Sequence, residues 1–349
     1  MNGNCHENKF QFQLLREAAD AGGLKLYSEV LIKPHPGLSF DGLKVVHGYC
    51  DDDTYKTMIA CNENGNNWIE DHTYRKNIRD ANNNGTFIEG QDWEKVVGRD
   101  EDGVDLNRNY DINWIHGHTH KQNTDSKNTC YDDHYDLYRG EAPFSEQEIQ
   151  AIDSLANVNR FLLSIAYHSS RSGSIAESVI FPWGWKDKGQ TEDDRKISPD
   201  YSIISELGNI IREILGFPPE ALLPQTSRTG NAHDWLYRET GCIQYLIEVG
   251  YEPDFDYGDD LLIQGDNLDK VLNANMDAFF HVLMRAVGDN DPDIDHNQIK
   301  GVVTDAADNS VIEHAVITIP QLEDNITKPR FTDESGFYAR LLHPDETYE

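Results

Sequence analysis

Apolar runs of strand length alternate with helix-like segments between residues 145 and 287, and this alternation most constrains the fold of the chain. The runs 161–167 and 242–249 are predicted strands because β-branched, aromatic and leucine side chains dominate them. Helices are predicted over residues 199–215, 231–240 and 268–287. Gly216 and Gly241 stand just past the first two of these helices, where a helix commonly ends. The alternation predicts an α/β domain with a largely parallel or mixed sheet.

Weaker local signals come from the part of the chain that leads up to this alternation. A helix is predicted over residues 9–20 and a strand over 27–34, whereas residues 48–103 are polar and predicted to be mostly loop. Ser145 and Glu148 have the spacing of a capping box, in which two side chains satisfy the free N–H groups at a helix start. A helix is therefore predicted to begin there.

The composition changes at residues 288–297, an acidic segment that is predicted to be a linker. Beyond the linker, short strands are predicted over residues 299–304, 315–319 and 337–342. Because this part of the chain shows no helical period, residues 298–349 are predicted to form a small, incomplete all-β sandwich module. The larger domain then covers residues 1–287.

The chain is strongly acidic. It contains 62 acidic and 30 basic residues, which gives a formal net charge of −32. Such a chain repels phosphate backbones and anionic lipid, which argues against nucleic-acid binding and attachment to membrane surfaces. No apolar run reaches the roughly 18 residues that a membrane helix needs, and no signal peptide follows Met1. The cysteines number five, and Cys50 and Cys61 could close a small loop.

One acidic loop has part of a calcium-binding pattern. Asp80, Asn82 and Asn84 offer carboxylate and amide oxygens at the spacing of the first half of a calcium loop. Gln91, however, stands where a bidentate glutamate would close the loop. Calcium at Asp80, Asn82 and Asn84 is therefore one interpretation. The other is that the acidic clusters form a solvated face that favours solubility.

Two chemically active side chains lie at predicted strand ends, where the sheets of α/β proteins bind ligands. Glu248 lies in an apolar strand, and a buried carboxylate there would have its pKa raised toward the range useful for acid–base catalysis. His168 follows the strand at 161–167 and could bind a metal. The alternatives are an edge-strand glutamate that faces solvent and a structural histidine.

Five ordered motifs give these residues a context. They are Gly-Val-Asp-Leu-Asn-Arg-Asn at 103–109, Tyr-Arg-Gly-Glu-Ala-Pro-Phe-Ser-Glu at 138–146, His-Ser at 168–169, Pro-Trp-Gly at 182–184, and Asp-Trp at 234–235 followed by Glu248. Together they resemble the zinc metallocarboxypeptidases of the carboxypeptidase A/B type, over roughly residues 39–287. The tail after Ile299 resembles the transthyretin-like β-sandwich often joined to such enzymes. The resemblance implies a three-layer α/β/α domain around a mixed sheet.

The resemblance also implies a role for each matching residue. His168 would be the third ligand of one catalytic zinc ion, and Glu248 would be the general base that deprotonates the zinc-bound water and then protonates the leaving amine. Arg75 would stabilise the oxyanion of the tetrahedral intermediate. Asn107 and Arg108 would bind the C-terminal carboxylate of the substrate, Arg108 through its bidentate fork.

Three further positions follow from the same resemblance. Asp105 would orient a zinc-bound histidine through a hydrogen bond. His233 falls at the floor of the specificity pocket and would favour acidic or polar C-terminal residues. Thr226 stands near the place of the tyrosine that usually covers the substrate, so the usual lid is not evident.

The largest departure from the family pattern concerns the metal. The family takes its first two zinc ligands from one H-x-x-E motif, and residues 1–107 contain none. The H-x-x-E of the chain, His343 to Glu346, falls in the β module and is attributed to chance. The family's N-P-D-G corresponds to residues 39–42, which would put the missing motif at or before Met1. We therefore expect both ends of the chain to be incomplete.

Histidines in a loop offer an alternative source of ligands. His116, His118 and His120 alternate, and His134 lies nearby, so on a strand the first three would share one face and could chelate a metal. The competing interpretation is a solvent-exposed insertion.

The leading hypothesis is a zinc-dependent metallocarboxypeptidase that releases single residues from the C-termini of peptides or proteins, in a chain that is inactive if it lacks the zinc motif. One alternative is a peptidoglycan stem-peptide peptidase of the same family. Another is a non-catalytic protein that binds peptide C-termini through Arg75, Asn107 and Arg108. Family habit implies secretion.

Overall fold

The computed structural model describes part of the chain. The described residues are 48–52, 54, 55, 58–70, 77, 79, 103–116, 138–159, 161–169, 177–186, 190–226, 228–249, 266–288, 297–344 and 346–348. The chain forms two compact units, residues 1–46 and 47–349, and all described residues belong to the second. The helix predicted over 9–20 and the strand predicted over 27–34 lie outside the described residues.

The described secondary structure follows the predicted alternation. The helices are α1 (Met58–Glu63), α2 (Gln147–Val158), α3 (Tyr201–Leu215), α4 (Ala232–Thr240) and α5 (Asp266–Val287). The strands up to α5 are β1 (Gly48–Cys50), β2 (Trp68–Glu70), β3 (Leu163–Ser169), β4 (Ser178–Phe181), β5 (Gly184–Trp185), β6 (Lys196–Ile197), β7 (Leu222–Pro224) and β8 (Ile243–Val249). The strands after it are β9 (Gln298–Val302), β10 (Val316–Ile317), β11 (Arg330–Phe331) and β12 (Phe337–Leu341).

A four-stranded mixed sheet forms the core, with strand order β3-β8-β4-β7. β8 is parallel to β3 and antiparallel to β4, and β4 is parallel to β7. Residues 243–248 of β8 are all buried, as expected for an apolar strand covered on both faces. The predicted α/β class with a mixed sheet is therefore confirmed.

Helices α3 and α5 cover one face of this sheet. The hydroxyl of Tyr245 on β8 donates to the carbonyl of Ile204 on α3 at 2.8 Å, and the hydroxyl of Tyr167 on β3 donates to the carbonyl of Asn275 on α5 at 3.4 Å. Because neighbouring residues of a strand point to opposite faces, the residue that follows each tyrosine by one or three positions points away from these helices. His168 occupies such a position.

The helix ends show where local signals hold and where they fail. Gly216 and Gly241 end α3 and α4 in the left-handed conformation, with φ of 74° and 81°, as predicted. The predicted capping box at Ser145 is wrong, since α2 begins at Gln147 and no side chain caps it. The Ser145 hydroxyl instead donates to Glu146 and accepts from the Asn109 amide, so tertiary contacts replace the local cap.

The C-terminal segment forms two small antiparallel sheets, β9 with β12 and β10 with β11. The three predicted strands are present in shortened form, and β11 was not predicted. A two-residue strand carries no usable period, so β11 forms only because the chain around it brings β10 alongside. The domain boundaries at 287 and 298 remain a prediction.

A disulfide joins Cys50 of β1 to Cys61 of α1, which confirms that these two residues close a small loop. Cys242, the residue just before strand β8 of the four-stranded sheet, is a buried free thiol. Among the helices of the described residues, none is long and apolar enough to cross a membrane.

Candidate active site

His168 and Glu248 face each other at the carboxyl ends of two parallel strands. They are register partners on β3 and β8, and His168 Nδ1 lies 4.0 Å from Glu248 Oε1. The side chain of His168 is 30% exposed and that of Glu248 is 10% exposed, so the pair opens to solvent from the histidine side. A carboxylate and an imidazole this close can share a water molecule or a cation between them.

The loop that carries the predicted carboxylate-binding residues has its own internal support. Leu106–Arg108 form one turn of 3-10 helix, and the Asp105 carboxylate accepts a hydrogen bond from the backbone N–H of Asn107 at 3.1 Å. The backbone N–H of Asp105 donates to the carbonyl of Tyr138 at 2.7 Å. Asp105 thus fixes the turn from which Asn107 and Arg108 project.

Asn107 and Arg108 both contact the N-terminal end of α4. The Asn107 side-chain oxygen accepts from the backbone N–H of Ala232 at 2.9 Å, which satisfies one of the free donors of the helix start. Arg108 Nη1 donates to the Asn231 side-chain oxygen at 3.2 Å, and Arg108 Nε lies 3.7 Å from the Asp105 carboxylate. These contacts hold the guanidinium in one orientation, as bidentate binding of a carboxylate requires.

A glycine allows the loop and the helix start to approach this closely. Gly230 has φ of 69°, and its carbonyl accepts from the backbone N–H of Tyr110. A Cβ atom at Gly230 would lie 2.6 Å from the Arg108 carbonyl oxygen and 2.7 Å from that of Tyr110. Only glycine fits this conformation and this contact together.

His233 is buried on the first turn of α4. Burial lowers the pKa of its imidazole to about 3, with smaller contributions from His168 and Arg108. Its Nε2 lies 3.2 Å from the Gln225 side-chain oxygen, and the tautomer that donates to this oxygen is the one with the proton on Nε2. Nδ1 is then an acceptor, and it has no hydrogen-bond partner among the described residues.

The Pro-Trp-Gly and Asp-Trp motifs meet behind this helix turn. The Asp234 carboxylate accepts from Trp185 Nε1 at 2.9 Å, and the rings of Trp183 and Trp185 stack with centroids 4.6 Å apart. Burial raises the pKa of the Asp234 carboxyl well above its usual range. The motif residues therefore support the position of α4 from within the core.

The 138–146 motif likewise supports the site loop, through residues for which sequence analysis predicted no role. The Asn109 amide donates to the carbonyls of Arg139 and Ala142 at 2.8 and 3.0 Å. The buried Glu146 carboxylate accepts from Asn77 at 2.6 Å and from Arg79 at 2.5 Å. The sequence signal that could have pointed to this network is that Asn109 and Glu146 are polar residues inside the motifs at 103–109 and 138–146.

The described residues supply only part of a zinc site. A catalytic zinc ion needs three protein ligands, and His168 with Glu248 offers one imidazole beside one carboxylate. The one group of three potential ligands within the described ranges is Cys50, Asp51 and Cys61. The sulfurs of its two cysteines form a disulfide. A complete zinc site would therefore need ligands from outside the described residues.

Other predicted residues lie outside the described part of the chain. They are Arg75, Asp80, Asn82, Asn84, His118, His120 and His134, and the side chain of His116 is also not described. The predicted calcium loop and the oxyanion-stabilising arginine accordingly stay predictions.

Comparisons with known proteins agree with the motifs. Residues 35–277 match the sequence model of the zinc carboxypeptidase family, peptidase M14. Mast cell carboxypeptidase A of Rattus norvegicus is 28% identical over 181 residues, which cover 49% of this chain and 34% of that protein. The protein of the same name from Homo sapiens is 27% identical over 174 residues, with the same coverage. The chain thus spans about a third of the length of these relatives.

Solved structures give similar neighbours. Carboxypeptidase A from Helicoverpa armigera has a TM-score of 0.38 at 16% identity, covering 51% of this chain and 41% of that one. Bovine thrombin-activatable fibrinolysis inhibitor, in complex with tick carboxypeptidase inhibitor, has a TM-score of 0.36 at 15% identity, covering 57% and 60%. Because the family model matches well over half of its length, the chain belongs to the zinc carboxypeptidase family.

Proposed function

We propose that this protein removes single residues from the C-termini of peptides or proteins by zinc-dependent hydrolysis. The observation that carries the proposal is the facing pair His168 and Glu248 at the carboxyl ends of β3 and β8. Membership of the zinc carboxypeptidase family implies the metal and the reaction class. The two residues have the chemistry that such a reaction needs.

Glu248 is the proposed general base. Its carboxylate is largely buried, lies at a strand end and faces the ring of His168, with Oε1 4.0 Å from Nδ1. Glu248 would accept a proton from the attacking water and return it to the leaving amine. His168 is the described residue that would bind the zinc ion of this family, together with ligands from elsewhere.

Arg108 and Asn107 are the proposed binding site for the substrate's C-terminal carboxylate. Arg108 is held by Asn231 and lies beside Asp105, so its position is fixed before substrate binds. Arg108 Nη1 donates to Asn231, which lies two residues before His233 at the start of α4. Arg75 would stabilise the oxyanion, a role that rests on the family resemblance alone.

His233 is the proposed specificity residue. With the proton on Nε2, the buried Nδ1 would accept a hydrogen bond from a substrate side chain that reaches it, so donating side chains would be favoured. This narrows the polar preference expected from the sequence and argues against acidic C-terminal residues in their charged form.

Secretion and the nature of the C-terminal segment belong to the same proposal. A disulfide such as Cys50–Cys61 persists in oxidising compartments, which supports an extracytoplasmic location. We assign residues 298–349 to a transthyretin-like β module on the basis of four short antiparallel strands and the family resemblance.

A second candidate function is binding of peptide C-termini without hydrolysis. The observation in its favour is that residues 1–107 contain no H-x-x-E motif, the motif from which this family takes two of its zinc ligands. The carboxylate-binding residues Asn107 and Arg108 would serve this function equally well.

One experiment on the full chain separates the candidates. Zinc content is measured by mass spectrometry of the metal, and the protein is then incubated with a peptide in free-acid form and with the same peptide amidated at its C-terminus. Release of one residue from the free-acid peptide alone, with about one zinc ion per chain, supports the peptidase. Binding of the free-acid peptide without release supports the binding protein. If neither peptide is bound or cleaved, both proposals are wrong.

A further inference from the structure

Helix α4 connects the candidate active site to the C-terminal strands. Its first residues contact Asn107 and Arg108, as described above, and it carries His233 on its first turn. The helix has nine residues, a length at which an isolated helix is marginal in water. Its geometry therefore depends on contacts at both of its ends.

The C-terminal end of α4 is held by Arg330 of β11. Arg330 Nη2 donates to the Tyr237 carbonyl at 2.9 Å and Nη1 donates to the Arg238 carbonyl at 3.2 Å. The backbone N–H of Lys328 donates to the Arg238 carbonyl at 2.9 Å. The last four carbonyls of a helix lack partners within it and carry its negative dipole end, so a guanidinium there is doubly favourable.

Gly241 makes this contact possible. It ends α4 with φ of 81°, and a Cβ atom at this position would lie 2.6 Å from Arg330 Nε. Arg330 thus packs directly on the turn that follows the helix, where a side chain would displace it.

A second arginine of the same segment extends the contact to α3. Arg340 of β12 donates from Nε and Nη2 to the two oxygens of the Asp200 carboxylate, each at 3.2 Å. The Tyr237 hydroxyl of α4 donates to the same carboxylate. Asp200 and Tyr237 are both buried, so this network tolerates little rearrangement.

We propose that Arg330 and Arg340 are positioning residues that set the affinity of the active site for peptide C-termini. They fix the far end of α4 against the core, and α4 in turn fixes Asn231, the partner of Arg108, and His233. The proposal rests on the proposed function, because it concerns the same binding site. It assigns the C-terminal strands a part in substrate binding, although none of their residues is placed in the site.

The test compares Arg330→Gln and Arg330→Lys with the control Lys328→Gln in the full chain. Lys328 is an exposed cation on the same segment. Its hydrogen bond to α4 comes from its backbone N–H, which the substitution keeps. Two quantities are measured: the Kd for a free-acid peptide, with KM and kcat where release occurs, and hydrogen exchange of the backbone amides of residues 232–236.

Arg330→Gln should raise Kd and KM by about tenfold while kcat changes little, as expected when charge-assisted hydrogen bonds that orient a site are lost. Amides 232–236, in the N-terminal half of α4 beside Asn107 and Arg108, should exchange faster. Arg330→Lys keeps the charge and should lie between the variant and the wild type, and it replaces Arg330→Gln should that variant not fold. Lys328→Gln should match the wild type.

Two results would overturn the inference. One is a lower melting temperature with unchanged Kd and KM, which would give Arg330 a purely stabilising role. The other is faster exchange confined to residues 237–241. The exchange measurement does not depend on activity, so it decides the matter even if the wild-type protein neither binds nor cleaves peptides, a result that would contradict only the proposed function.

Discussion

His168 and Glu248 are register partners on parallel strands, and their side chains lie on the same face of the sheet with Nδ1 4.0 Å from Oε1. A shift of one residue in the pairing of β3 with β8 would turn one of them to the opposite face, toward α3 and α5. The facing pair therefore depends on strand register.

Replacement of Glu248 by Gln should abolish hydrolysis and leave binding intact. The amide keeps the size of the side chain but cannot accept the proton of water, so kcat should fall by roughly 10²- to 10⁴-fold while peptide Kd changes little. Release of the C-terminal residue is followed by mass spectrometry. Glu220→Gln, an exposed glutamate on the surface, is the matched control and should behave as wild type. Undiminished release by Glu248→Gln would rule out the assigned mechanism.

His233 should make the folded state less stable as pH falls. Its pKa is about 3 in the folded protein and near 6.5 in an unfolded chain, so between these values the unfolded state binds more protons. The free energy of unfolding should drop by about 1.4 kcal/mol per pH unit from pH 6 downward through this window. This contribution should be absent from His233→Gln.

Urea unfolding of the wild type, His233→Gln and the control His314→Gln at several pH values measures this effect. His314 is 65% exposed and serves as the control for replacing a histidine at the surface. Identical pH profiles for the wild type and His233→Gln would contradict the buried neutral state of His233.

Gly230→Ala should damage the carboxylate-binding loop as well as the fold. Alanine in the left-handed conformation costs about 1–2 kcal/mol, and the new Cβ would also press on the carbonyls of Arg108 and Tyr110. We expect a further loss of about 1–3 kcal/mol of folding free energy and weaker peptide binding. Gly216→Ala is the control, since Gly216 has the same conformation, with φ of 74°, and nothing within 4 Å of its Cβ position. Equal losses of stability and of peptide binding in the two variants would show that the contact of the new Cβ with the carbonyls of Arg108 and Tyr110 has no effect.

Removal of the Cys50–Cys61 disulfide should lower the stability of the protein without affecting the peptide site. The two cysteines are 11 positions apart, and a loop of this length corresponds to about 2–3 kcal/mol of stabilisation in the chain-entropy treatment. Chemical unfolding with and without reductant measures it. The double variant Cys50→Ala, Cys61→Ala should unfold alike in both conditions, and a wild type that is also insensitive to reductant would refute the prediction.

The helices α3 and α4 and the strands β3 and β8 could be predicted because their signals are local. Apolar period, strand-length runs and the glycines at 216 and 241 act on the nearest residues, and the structure ends both helices at these glycines. The failure of the capping box at Ser145 could not be predicted from local sequence. Its hydroxyl has a stronger partner in Asn109, which is 36 positions away in sequence.

The sequence by itself determined the α/β class, the glycine ends of α3 and α4, the family and the residue types that carry its chemistry, because each depends on local pattern or on ordered motifs. Only the tertiary structure decided which of these residues meet. Strand register brings His168 to Glu248, the close approach at Gly230 brings Arg108 to α4, and Arg330 reaches α4 from a strand some 90 residues later, as its hydrogen bond to the Tyr237 carbonyl shows. These contacts join residues far apart in the chain. They form only once the core has packed, because the burial of apolar surface then offsets the entropic cost of loop closure.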